Sequence, residues 1–159
     1  MFKGDKECIM ENDKKGLIKA TDLAKYIINT SYRGLSNLEL QKTIYFVELD
    51  YRKRTGQRLI DNDFKAWRYG PVVPDVYEEY RHYGSRYIEE ADMPDIPHGI
   101  DTKVIDMTVN RCSDRKSWEL VEESHRSDGA WQKSFDKGGS LGDTINQDFI
   151  TEEAKKYGR

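Results

Sequence analysis

"SNLELQKTIYFVELDYRKRTG", residues 36–56, is the stretch whose reading decides the fold. It opens with Ser36 and, three residues on, Glu39, the pattern of a capping box. In that arrangement the serine hydroxyl accepts from the third backbone N–H of a helix and the glutamate reaches back to the cap. It closes on Gly56, the residue type that most easily takes the left-handed conformation ending a helix. In between, Leu38, Tyr45 and Leu49 share one face, while Leu40, Ile44, Val47 and Tyr51 share nearly the opposite one. A helix apolar on two faces is sandwiched between other elements. The spacing therefore predicts a central buried helix over about 36–54. Lys42 falls inside the first stripe and has two readings. Its stem packs on the core while the amine snorkels to water or meets a carboxylate, or it is a functional lysine at the edge of a groove.

Upstream, Thr21 and Asp22 begin a short amphipathic helix on Leu23, Ala24, Ile27 and Ile28, ending near Gly34. Residues 1–19 are polar and Lys-rich, expected to be a flexible leader, with the domain over 20–159. Downstream, Leu59-Ile60 and Phe64–Trp67 are expected to pair through the Asp61-Asn62-Asp63 turn, a small β element near 58–68. In "AWRYGPVVPDVYEEYRHYG", residues 66–84, Gly70 and Pro71 shape a turn and Pro74 enters the first turn of a helix ending at Gly84. Val73, Val76, Tyr80 and Tyr83 form its core-facing stripe. Residues 85–100, with two prolines, are a connector, and 101–111 are expected to be helical. Ser113 is expected to cap a helix whose apolar face is Trp118, Leu120 and Val121. After a short "GAWQKSF" segment and the loop "DKGGSLGD", Thr151 is expected to cap the last helix. The fold class is mainly α: a compact single helical domain with a small β element.

Composition limits what such a domain does. At 159 residues there is room for one core, and 36% hydrophobic against 35% charged residues suits a folded chain with solvated faces. With 26 basic and 29 acidic residues interleaved, the net charge of -3 offers no long-range pull on DNA or anionic lipid. The aromatic cluster of 66–84 lacks the basic groove of a single-strand platform, so direct nucleic-acid binding is not expected. Cys8 and Cys112 are far apart and are expected to be reduced thiols. No apolar run or signal sequence is seen, and a cytoplasmic location is expected. His82, His98 and His125 have no metal-ligand spacing, and no nucleophile elbow or phosphate-binding loop is present. Neither a metal, a cofactor nor an enzyme is expected, although Lys42, His125 and a carboxylate converging in space would reopen catalysis.

Three stretches together, "LSNLELQKTIYFVE" (35–48), "FKAWRYGPVVPDVYEEYRHYG" (64–84) and "SHRSDGAWQ" (124–132), resemble the SocA-like antitoxin family, whose domain is called Panacea. Its members are often described as phage-associated proteins. The resemblance runs over about residues 20–155. It implies a mainly helical domain that neutralises a cognate protein toxin encoded nearby, in a bacterial or prophage pair. One branch delivers its toxin to a cytosolic protease, so the alternative is a phage-derived adaptor binding a host factor such as that protease. The motif positions it implies for partner binding are Gln41, Lys42, Tyr45, Trp67, Tyr69, Tyr77, His125 and Trp131. Gly70, Pro71 and Pro74 are structural.

Overall fold

The computed structural model describes residues 17–158, so the expected leader lies largely outside the described residues. Ile18, at the start of the described chain, is buried and bridged to Ile60. Helix α1 spans Ala20–Thr30 and buries Leu23, Ala24, Ile27 and Ile28. Helix α2, Asn37–Thr55, is the central element, and Ser36 and Glu39 do form the capping box while Gly56 closes it with φ 74. Helix α1, the later helices Thr102–Ser113, Ser117–Ser124 and Gln147–Lys156 and the strand Gly70–Val72 all pack on α2, covering it along nearly its whole length.

That enclosure carries polar groups inward, and each finds a partner, as buried polar atoms must. The Glu48 carboxylate accepts from the backbone N–H of Leu59 and Ile60, both at 2.9 Å, and from Arg52 Nε at 2.7 Å. Asp50 accepts from Thr108 Oγ1 at 2.8 Å. Tyr45, fully buried and edge-on to Phe64, donates to Glu153 at 2.5 Å.

The β element differs from expectation. Strands β1 (Lys65–Trp67) and β2 (Gly70–Val72) pair antiparallel, with Lys65 opposite Val72 and Trp67 opposite Gly70. The turn is Arg68-Tyr69, and Gly70 and Pro71 belong to the strand. Leu59 and Ile60 do not join this hairpin because Glu48 takes their N–H groups, and Ile60 bridges Ile18 instead. Asp143 and Thr144 extend the outer edge of β1.

Helix α3, Pro74–Tyr80, runs into a short 3₁₀ turn over Arg81–Tyr83. The connector after it is irregular, tied to the start of α2 by backbone bonds between Leu35 and Ile88. Helix α4, Thr102–Ser113, starts where Asp101 accepts from Lys103 N, so Ser113 ends a helix and does not cap the next. Helix α5, Ser117–Ser124, begins after Lys116, whose N–H is held by Glu119. It buries Leu120 and leaves Trp118 62% exposed, against the expected apolar face. Helix α6 spans Ala130–Asp136. Helix α7, Gln147–Lys156, is capped by Asn146 and not by Thr151, which lies inside it and accepts from Arg52. No described helix is long and apolar enough to cross a membrane.

Candidate functional site

The first turns of α2 grip the hairpin. Asn37 donates to the Tyr77 carbonyl at 3.2 Å, and Gln41, one turn later, donates to Asn37 at 3.2 Å. The Gln41 side-chain oxygen accepts from Val73 N at 3.0 Å. Beside it, Lys42 donates to the Pro71 carbonyl at 2.6 Å. Neighbouring side chains on one helix thus fix β2 and the start of α3, with Pro74 preset for the first helical turn.

From the other side, Trp131 on α6 donates to the Trp67 carbonyl at 2.7 Å. Its indole packs on His125, the ring centroids 4.0 Å apart. Gly70 is required where these grips meet. Its φ is +112, and a Cβ there would stand 2.5 Å from Ser124 Oγ and 3.0 Å from Lys42 Nζ.

Lys42 is fully buried, and among the described residues the acceptor of its amine is the Pro71 carbonyl, not a carboxylate. Burial brings its amine from 10.5 down to about 7. His125 is also lowered, first by desolvation and then by the Lys42 charge, and its Nε2 is buried without a partner among the described residues. Among the described residues neither the Lys42 amine nor the His125 ring is hydrogen-bonded to a carboxylate. Among the described residues no group of three or more His, Cys, Asp or Glu is placed to hold a metal. The Cys112 thiol is buried and pushed up to about 12 by desolvation, which leaves it unreactive at neutral pH.

The motif residues divide into two sets. Gln41, Lys42 and Tyr45 have almost no exposed surface; Gln41, Lys42 and Trp131, with His125 against the indole, form a frame behind the hairpin, while Tyr45 is turned to Glu153 and Phe64. Lys42 and Tyr45, expected among the partner-binding positions, are buried in the chain on its own. Trp67, Tyr69 and Tyr77 face outward into a groove of about 710 Å³. Leu38, Val72 and Tyr87 complete its apolar lining, and Trp67 meets Tyr77 edge-on at 5.1 Å. Arg68 and Arg81 also line the groove.

Sequence reasoning missed Leu38, Arg68, Arg81 and Tyr87 as groove residues. Leu38 was assigned to the core, yet it is 38% exposed at the open end of α2. Tyr87 carries no periodic signal and arrives only because the Leu35–Ile88 bridge draws the connector against α2.

The family model described as "Antitoxin SocA-like, Panacea domain" matches residues 40–132, from the first turn of α2 through the grip of Trp131. The chain is also 33% identical over 112 residues to antitoxin SocA of Caulobacter vibrioides (strain NA1000 / CB15N), covering 61% of this chain and 58% of that protein. The match thus spans less than two thirds of that relative's length. No solved structure matches. A family match extending over more than half of the sequence shows that the chain belongs to the SocA-like antitoxin family, with its Panacea domain.

Proposed function

We propose that this chain neutralises a cognate protein toxin by direct, non-catalytic binding, and that the groove beside the hairpin is the contact surface. The observation that carries the reading is the aromatic groove on a preformed frame. Trp67, Tyr69 and Tyr77 line it while Gln41, Lys42 and Trp131 hold its walls from behind. Tryptophan, tyrosine and arginine are the residue types that dominate binding energy at protein interfaces. A surface fixed before binding loses less ordering entropy when the partner arrives. Both proteins would meet in the cytoplasm.

The test uses the reading frame adjoining this gene, expressed alone and with this chain. Toxicity alone and rescue together are expected, with a stoichiometric complex on purification. Trp67→Ala together with Tyr69→Ala, in a chain whose circular dichroism is unchanged, should lose rescue and weaken the complex at least tenfold. Full rescue by that variant refutes the groove as contact surface. Rescue that needs a cytosolic protease, with the toxin disappearing, identifies the adaptor reading instead.

A further inference from the structure

The groove has an electrostatic character that the chain as a whole does not. The protein is net negative, at -3. Its groove nevertheless has Arg68 and Arg81 in the lining and, among the described residues, neither aspartate nor glutamate. Arg68 has no ion pair or hydrogen bond among the described residues, and its guanidinium lies 5.6 Å from the Tyr69 ring centroid. Arg81 reaches only Glu78, at 3.5 Å, a pair with both side chains more than half exposed and so of small strength. Between these cations the surface is aromatic and aliphatic: Leu38, Trp67, Tyr77 and Tyr87. Of the other polar side chains in the lining, Asn37 and Gln41 are committed to the Tyr77 carbonyl and the Val73 N–H, and Ser36 and Ser117 to the Glu39 carboxylate, which leaves Ser85 as a neutral hydroxyl.

We infer that the groove selects an acidic–apolar segment of the toxin: an apolar or aromatic side chain inserted between Trp67 and Tyr87, flanked by carboxylates that meet Arg68 and Arg81. This rests on the reading of the chain as a toxin-binding antitoxin and adds the chemistry of what is bound. A guanidinium covered by a partner needs an acceptor, because burying it unpaired costs more than its apolar contacts return. A carboxylate satisfies it with two parallel hydrogen bonds. Nucleic acid fits the same rings less well. Among the described residues Arg68 and Arg81 are the only cations of the lining, while Glu78 and Glu79 on α3 and Glu122 on α5 are exposed close in sequence to groove residues. A phosphate chain continuing past the groove would meet those carboxylates.

The experiment measures the affinity of the full chain for the toxin from the adjoining reading frame, between 50 and 300 mM salt. Arg68→Glu with Arg81→Glu is compared with Lys19→Glu and Lys155→Glu, an equal change of net charge at exposed positions outside the groove. The groove pair is expected to weaken binding at least a hundredfold and to flatten or reverse its salt dependence, while the control pair changes it less than threefold. Exchanging acidic residues for lysine in the toxin segment protected from hydrogen exchange should then restore binding to the groove variant. Wild-type binding that survives the Arg68 and Arg81 reversal overturns the inference and leaves the antitoxin reading standing. Failure of the wild-type chain to bind the toxin at all sinks the antitoxin reading and this one with it. Binding of single-stranded oligothymidylate, lost on the same reversal, assigns the groove to nucleic acid and overturns the inference.

Discussion

Lys42→Met separates the amine of Lys42 from its packing, and its effect follows from where that amine sits. Methionine keeps most of the unbranched stem and its volume but removes the charge and the bond to the Pro71 carbonyl. The folded amine titrates at about 7 while the unfolded one keeps 10.5. A depressed lysine means that the unfolded chain holds more protons between those values, so stability rises with pH through that window. Below pH 6 both states are protonated and Lys42 contributes no slope. At pH 7 the folded amine is half neutral, and from there the gain approaches about 1.4 kcal/mol per pH unit. Between pH 7 and 9 the rise comes to about 2 kcal/mol. Cys112, pushed up to about 12, opposes the rise near pH 9 as the unfolded thiol ionises, but it does so equally in both proteins. Urea unfolding from pH 5 to 9 should therefore show wild type gaining on the variant as pH rises, with the variant more stable relative to wild type near neutral pH than at pH 9. The His125 resonance supplies an independent reading. Its pKa is held down in part by the Lys42 charge, so it should titrate at higher pH in the variant. Parallel stability curves would refute the picture of a lysine buried without a carboxylate, whatever the absolute stabilities.

Other side chains of the frame give sharper losses. Gly70→Ala places a Cβ 2.5 Å from Ser124 Oγ at a φ of +112 and should cost at least about 2 kcal/mol in chemical denaturation, part of it recovered by adding Ser124→Ala. Glu48→Gln leaves Arg52 and two backbone donors facing an amide that supplies one acceptor oxygen, and thermal unfolding should register a loss of about 3–5 kcal/mol. Trp131→Phe keeps the ring against His125 but removes the donor to the Trp67 carbonyl. Its expected cost is about 1–3 kcal/mol, with faster amide exchange in β1 as the local signature.

The central helix was legible because its signals are local: a capping box, a terminal glycine and two apolar stripes, all inside residues 36–56. The hairpin was misplaced because its register depends on Glu48. That carboxylate claims the N–H groups of Leu59 and Ile60, and no pattern within 55–67 reveals that those donors are already taken. Trp118 was misread for a related reason. Periodicity tells which residues share a face, but what covers that face is decided by other elements, and α5 is short enough for Leu120 to anchor it. The groove was half visible. Trp67, Tyr69 and Tyr77 come from one stretch, whereas Leu38 and Tyr87 reach it from α2 and the connector.

The motif therefore mixes side chains that shape the surface with side chains that form it, and sequence cannot sort them because both keep the same spacing. Burial sorts them, and function can check the sorting. If Lys42 belongs to the frame, Lys42→Met at neutral pH should bind the toxin within about threefold of wild type, since methionine fills the same space and Gln41 still holds Val73. Trp67→Ala should instead leave the unfolding midpoint nearly unchanged compared with a buried substitution while binding falls at least tenfold, because the indole is only partly buried at the groove. The opposite pairing, a folded Lys42→Met that fails to bind beside a Trp67→Ala that binds normally, would mean that the hairpin opens on contact and exposes the amine. The groove would then be the resting face of the protein, and the bound face would be the one now sealed beneath Gly70 and Pro71.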